Sequence, residues 1–133
     1  MRKTPISPNE YYHIYNRGAS KGKIFFIPDH WRLFLRQLKK YFQHDYGDII
    51  AYCLMPNHFH LMVSVNCEDF GNKVMMPLIV SYTKLVNRQM NRAGHLFQGP
   101  YQAKHIGTTA QLLQLSRYIH LNPMKAGLVI NPE

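Results

Sequence analysis

His58 and His60 stand one residue apart in Met55-Pro56-Asn57-His58-Phe59-His60-Leu61-Met62-Val63. On a β-strand, residues two apart point to the same face. Two imidazoles so placed can hold one metal ion between them, while Phe59, Leu61, Val63 and Val65 form an apolar opposite face. Spacing alone is weak, because eight histidines in 133 residues supply about half of one such pair by chance. The plain alternative is two unrelated histidines on a half-exposed strand.

The rest of the sequence narrows the chemistry. Sixteen Lys and Arg against seven Asp and Glu give a net charge of +9. That excess attracts polyanions, and nucleic acid is the expected partner. The acids are Glu10, Asp29, Asp45, Asp48, Glu68, Asp69 and Glu133, and only Glu68 and Asp69 are adjacent. A two-metal nuclease needs several converging carboxylates. This chain has too few, so chemistry on DNA requires another device.

A second cluster offers one. On a helix, Gln111, Gln114, Tyr118 and Asn122 fall within about 80° of one another, with Leu112, Leu115 and Ile119 as the adjoining apolar stripe. A tyrosine nucleophile and an amide oxygen are thereby available to a metal held by His58 and His60. A divalent ion polarises a phosphodiester, and a phenolate attacks it to form a covalent protein–DNA intermediate. The plain alternatives are a border tyrosine packed in the core and an asparagine that simply ends a helix before Pro123.

These residues need elements to position them. Tyr11 to Asn16 reads as a strand closing at Asn16-Arg17-Gly18. Pro28 and Asp29 open a helix bearing Trp31, Phe34, Leu35, Leu38, Tyr41 and Phe42. Ile49 to Met55 is a second strand, joined by the Pro56-Asn57 turn to the histidine strand. Asn66 to Lys73 is a polar stretch. Met75, Leu78, Ile79, Tyr82, Leu85, Val86 and Gln89 then mark the buried stripe of a second helix, with Lys84, Arg88 and Arg92 on another face as candidate phosphate contacts. After the Gly-containing segment 93–100 comes a fourth strand around Tyr101 to Ile106. Thr108 or Thr109 caps a last helix running to about Asn122.

The order β-α-β-β-α-β predicts an α+β domain of the ferredoxin-like, split βαβ type, spanning 1–133, with the extra helix carrying Tyr118. His58 and His60 are expected on the sheet face away from the two main helices. No apolar run is long enough for a membrane span and no signal peptide is evident. A cytoplasmic protein with Cys53 and Cys67 reduced is expected.

Ala51-Tyr52-Cys53-Leu54-Met55-Pro56-Asn57-His58-Phe59-His60-Leu61, Gly94-His95-Leu96-Phe97-Gln98-Gly99, Ser116-Arg117-Tyr118-Ile119-His120-Leu121-Asn122-Pro123 and Ala126-Gly127-Leu128-Val129 occur in that order, after an opening Tyr12-His13-Ile14-Tyr15-Asn16-Arg17-Gly18. Together they resemble the single-tyrosine HUH transposases, in the REP-associated tyrosine transposase branch. The resemblance implies His58, His60 and Asn122 as ligands of Mg²⁺ or Mn²⁺ and Tyr118 as the nucleophile. It also implies a single-stranded DNA substrate folded as a hairpin and cleavage to a 5′-phosphotyrosine with a free 3′-hydroxyl. Relatives include monomers and homodimers. Arg17, His95, Gln98 and Lys104 join Lys84, Arg88 and Arg92 as expected DNA contacts. Pro100 departs from the basic residue that usually follows Gln-Gly, which removes one presumed contact. A replication initiator or relaxase with the same core, a domesticated hairpin-binding module without cleavage, and a water-using metal hydrolase are the competing readings.

Overall fold

The computed structural model describes residues 6–115 and residue 117. Tyr118, Ile119 and Asn122, and the motifs around and beyond them, lie outside the described residues. The elements run β1 (Glu10–Arg17), a 3₁₀ turn (Ala19–Lys21), α1 (Pro28–Tyr41), β2 (Gly47–Met55), β3 (His58–Val65), a π-helical turn (Gly71–Met75), α2 (Met76–Gln89) and β4 (Gln102–Ile106). A further helix, α3, begins at residue 109.

The four strands make one sheet in the order β2-β3-β1-β4. Every neighbouring pair is antiparallel. This is the split βαβ arrangement expected from the element order. Period-2 alternation puts Tyr12 and Ile14 of β1 and Phe59, Leu61, Val63 and Val65 of β3 in the core beneath the helices. From α1 come Phe34 and Leu38, and from α2 Leu78, Tyr82 and Val86, at the i, i+4 spacing of one helix face. Phe34 meets Tyr82 edge to face at 5.0 Å. The buried Tyr82 hydroxyl donates to the Ile24 carbonyl at 2.6 Å.

The starts of α1 and α3 have local causes. Pro28 occupies the first turn of α1 with Asp29 beside it, and Lys39 and Lys40 close the last turn, matching the helix dipole. Of the two threonines weighed as a cap for α3, Thr108 takes the role: its Oγ1 accepts from Gln111 N at 3.1 Å. Gln111 Oε1 returns to accept from Gly107 N at 2.9 Å, a variant of the capping box.

Two expectations about α2 need correction. The helix ends at Gln89, and Asn91 takes a left-handed backbone (φ 51°) that turns the chain. Arg92 therefore does not continue a stripe with Lys84 and Arg88. Gln89 is exposed rather than buried, although its side-chain oxygen accepts from His30 Nε2 at 3.0 Å.

Candidate active site

β1 and β3, the two inner strands, carry the candidate site residues on the face opposite the main core. Arg17 pairs with His58 and Tyr15 with His60, while His13 lies opposite Met62. On the flanks, Met55 and Cys53 of β2 face His58 and His60, and Gln102 and Lys104 of β4 face Tyr15 and His13. His58 and His60 thus share a face, as their spacing predicted, with ring centroids 5.0 Å apart.

The turn before His58 is held firmly. Gly18 N donates to the Asn57 carbonyl at 2.9 Å, and Ile24 N and Phe25 N donate to the Pro56 carbonyl at 2.9 and 3.3 Å. The 18–22 turn that makes this clasp is itself tight: a Cβ on Gly18 would lie 1.9 Å from the Gly22 carbonyl oxygen. The Asn57 side-chain oxygen lies 2.7 Å from His58 Nδ1. His60 Nδ1 lies 2.8 Å from His13 Nε2.

A pocket of about 730 Å³ opens over these groups, lined by Tyr15, Asn16, Arg17, Lys21, Asn57, His58, His60, Gln98, Gly99, Pro100 and Gln102. Its far wall is fastened to β1. Asn16 Nδ2 donates to the Gly99 carbonyl at 2.9 Å, and Gln98 N donates to the Arg17 carbonyl at 2.9 Å. Lys21 enters the pocket rim from a turn in which both Ser20 (φ 54°) and Lys21 (φ 61°) are left-handed, a costly conformation for residues with a Cβ.

Burial sets the charge state of the histidines. His60 is driven down to about 3 by desolvation, with His13 and His58 adding to the effect. Desolvation and the Lys104 ammonium lower His13 to about 4. Burial lowers His58 as well. At neutral pH all three rings are uncharged and carry a lone pair, which ligation requires. Burial pushes the Cys53 thiol up to about 11, so it is no thiolate donor. Among the described residues no three His, Cys, Asp or Glu gather as a metal-holding group.

α3 reaches the same face. Leu112 and Leu115 pack against Ala51, Cys53, Met62 and Ile106, with Met55 beside them. The chain thus crosses the histidine-bearing side of the sheet three residues before Tyr118.

Of the expected DNA contacts, Arg17 and Gln98 line the pocket. Lys104 stands beside it, 5.8 Å above the Tyr15 ring. His95 is exposed in the loop before Gln98. Lys84 and Arg88 are exposed on α2, which packs on the other side of the sheet, so the fold does not bring them to the pocket. Arg92 is engaged locally, donating to Asn87 Oδ1 at 2.5 Å and lying 5.5 Å from the Phe26 ring centre. Sequence reasoning missed His13, Tyr15, Asn57, Lys21 and Gln102. The alternation of β1 could have revealed the first two, since Tyr12 and Ile14 point inward. Nothing in composition marks Lys21.

A profile described as "Transposase IS200 like" matches residues 7–122. The chain belongs to this family. Two solved structures share the fold. One is a REP-associated tyrosine transposase bound to a REP hairpin, with a TM-score of 0.67 and 17% identity, covering 97% of this chain and 74% of that one. The other is a putative transposase from Deinococcus radiodurans R1, with a TM-score of 0.59 and 15% identity, covering 90% and 95%. No curated protein matches the chain significantly. Among the described residues no helix of this IS200-like transposase is long and apolar enough to cross a membrane.

Proposed function

We propose that this IS200-like transposase is a single-tyrosine HUH enzyme that cleaves and rejoins single-stranded DNA beside a hairpin, with Tyr118 as nucleophile. The observation that carries this reading is the convergence on one sheet face of the neutral His58–His60 pair, the pocket with Arg17 and Lys21, and the helix leading to Tyr118. The hairpin substrate is suggested by the fold neighbour bound to a REP hairpin.

The donor set suits a single divalent cation. His58 and His60 offer neutral imidazole nitrogen, and Asn122 would add an amide oxygen, a set that would take Mg²⁺ or Mn²⁺; nitrogen donors favour the softer Mn²⁺ of the two. When bound, such an ion supplies Lewis acidity toward a phosphate oxygen. The protein's own groups do the rest. Arg17 and Lys21 hold the DNA backbone by charge. The Tyr118 oxygen loses its proton to water and attacks phosphorus, forming a tyrosyl ester with the 5′-phosphate. The bond to the 3′-oxygen breaks, and that oxygen takes up a proton. One phosphoester replaces another, so a 3′-hydroxyl can reverse the step without an energy source.

Incubation with a labelled REP-type hairpin and Mn²⁺ should give a covalent adduct that survives SDS. Tyr118→Phe should abolish the adduct and keep hairpin affinity within about 3-fold, because phosphate contacts dominate binding. An adduct that persists in this variant would sink the assignment. His58→Ala and His60→Ala should lose cleavage far more than binding.

A further inference from the structure

A neutral imidazole has one nitrogen with a lone pair, and its position is set by what the other nitrogen touches. His58 Nδ1 faces Asn57 Oδ1 at 2.7 Å. That oxygen only accepts, so His58 donates from Nδ1 and keeps the lone pair on Nε2. His60 Nδ1 faces His13 Nε2 at 2.8 Å, a contact in which either ring can donate. We propose that His13 is a positioning residue that accepts from His60 Nδ1–H, so that His58 and His60 both present Nε2 to one cation. This rests on the metal-site reading above.

The fold makes His13 suited to that task. It lies on β1 in the ladder with β3, paired with Met62 two register positions along from the Tyr15–His60 pair and on the same face, so the strands' own hydrogen bonds fix its distance from His60. Its ring is packed between Tyr15, at 4.8 Å, and His60, at 5.0 Å between centroids. Lys104 stands opposite His13 in the register with β4. Partners of this kind hold a metal-ligating imidazole in one tautomer and one orientation. Asn57 plays the same part for His58, and its carbonyl is itself pinned by Gly18 N.

Long-range ¹⁵N–¹H spectra of the metal-free, full-length protein read the tautomers directly. Both His58 and His60 should be protonated on Nδ1. A second measurement is Mn²⁺ affinity followed by electron paramagnetic resonance. His13→Gln, whose Oε1 can still accept, should bind Mn²⁺ within about 3-fold of the parent chain. His13→Leu should weaken binding by about 10–100-fold, with thermal unfolding as the control for global damage. A His60 protonated on Nε2, or equal Mn²⁺ affinity in His13→Leu, overturns the role of His13 alone. A parent chain that binds no Mn²⁺ overturns the metal site as well.

Discussion

The buried imidazoles make the site a source of acid sensitivity. His13 falls from 6.5 to about 4 because burial, helped by Lys104, disfavours its charged form. The unfolded chain therefore takes up this proton before the folded one does, so the folded state is most favoured above pH 6.5 and loses stability as pH falls toward about 4. His60 acts in the same direction. Melting temperatures recorded across that window should fall with pH, and more shallowly in His13→Gln. His30 has a structural task. It is completely buried, accepts from Phe26 N through Nδ1 at 3.0 Å and donates to Gln89 through Nε2. Its work is to tie the start of α1 to the end of α2. His30→Ala should cost about 1–3 kcal/mol in denaturant unfolding, since it orphans the Phe26 N–H.

At the scale of elements, β1 links the hydrophobic core to the candidate site. Its inward residues Tyr12 and Ile14 pack under the helices, while Arg17 and Tyr15 line the pocket on the other side. A similar division was legible in β3 from sequence alone, because a strict two-residue period assigns Phe59 and His60 to opposite faces. The position of α3 was less legible. Its stripe of Leu112 and Leu115 is visible in the sequence, but the sheet face that receives it depends on tertiary packing. Leu115→Ser should therefore reduce adduct formation at least about 5-fold while lowering stability by only about 1–2 kcal/mol, since Leu115 is half-buried. Lys21 was illegible, because two consecutive left-handed residues override what side-chain type suggests. Arg92 misled for a related reason: charge spacing continues past Gln89, where the helix does not.

For the molecule as a whole, the charge of +9 does not act evenly. The two faces of the sheet carry different jobs, and the basic residues of α2 lie outside the helix layer, away from the pocket. Hairpin affinity should fall steeply with salt, by about 0.7 log units per tenfold salt for each single-strand phosphate contacted. Arg17→Ala and Lys21→Ala should each flatten that slope by about one contact. Lys84→Ala should leave it unchanged in the same fluorescence titration.

The clasp around Pro56 and Asn57 also decides where the chain will accept foreign sequence. Both carbonyls of this hairpin tip are bonded by the segment 18–25, so the tip is an internal joint even though Pro56 itself is exposed. A peptide tag inserted there would pry two segments apart and tilt His58 with them. At the opposite connection, between α1 and β2, Gln43, His44 and Asp45 are exposed, and a fluorescent label on the Asp45 side chain would leave the His58 hairpin undisturbed.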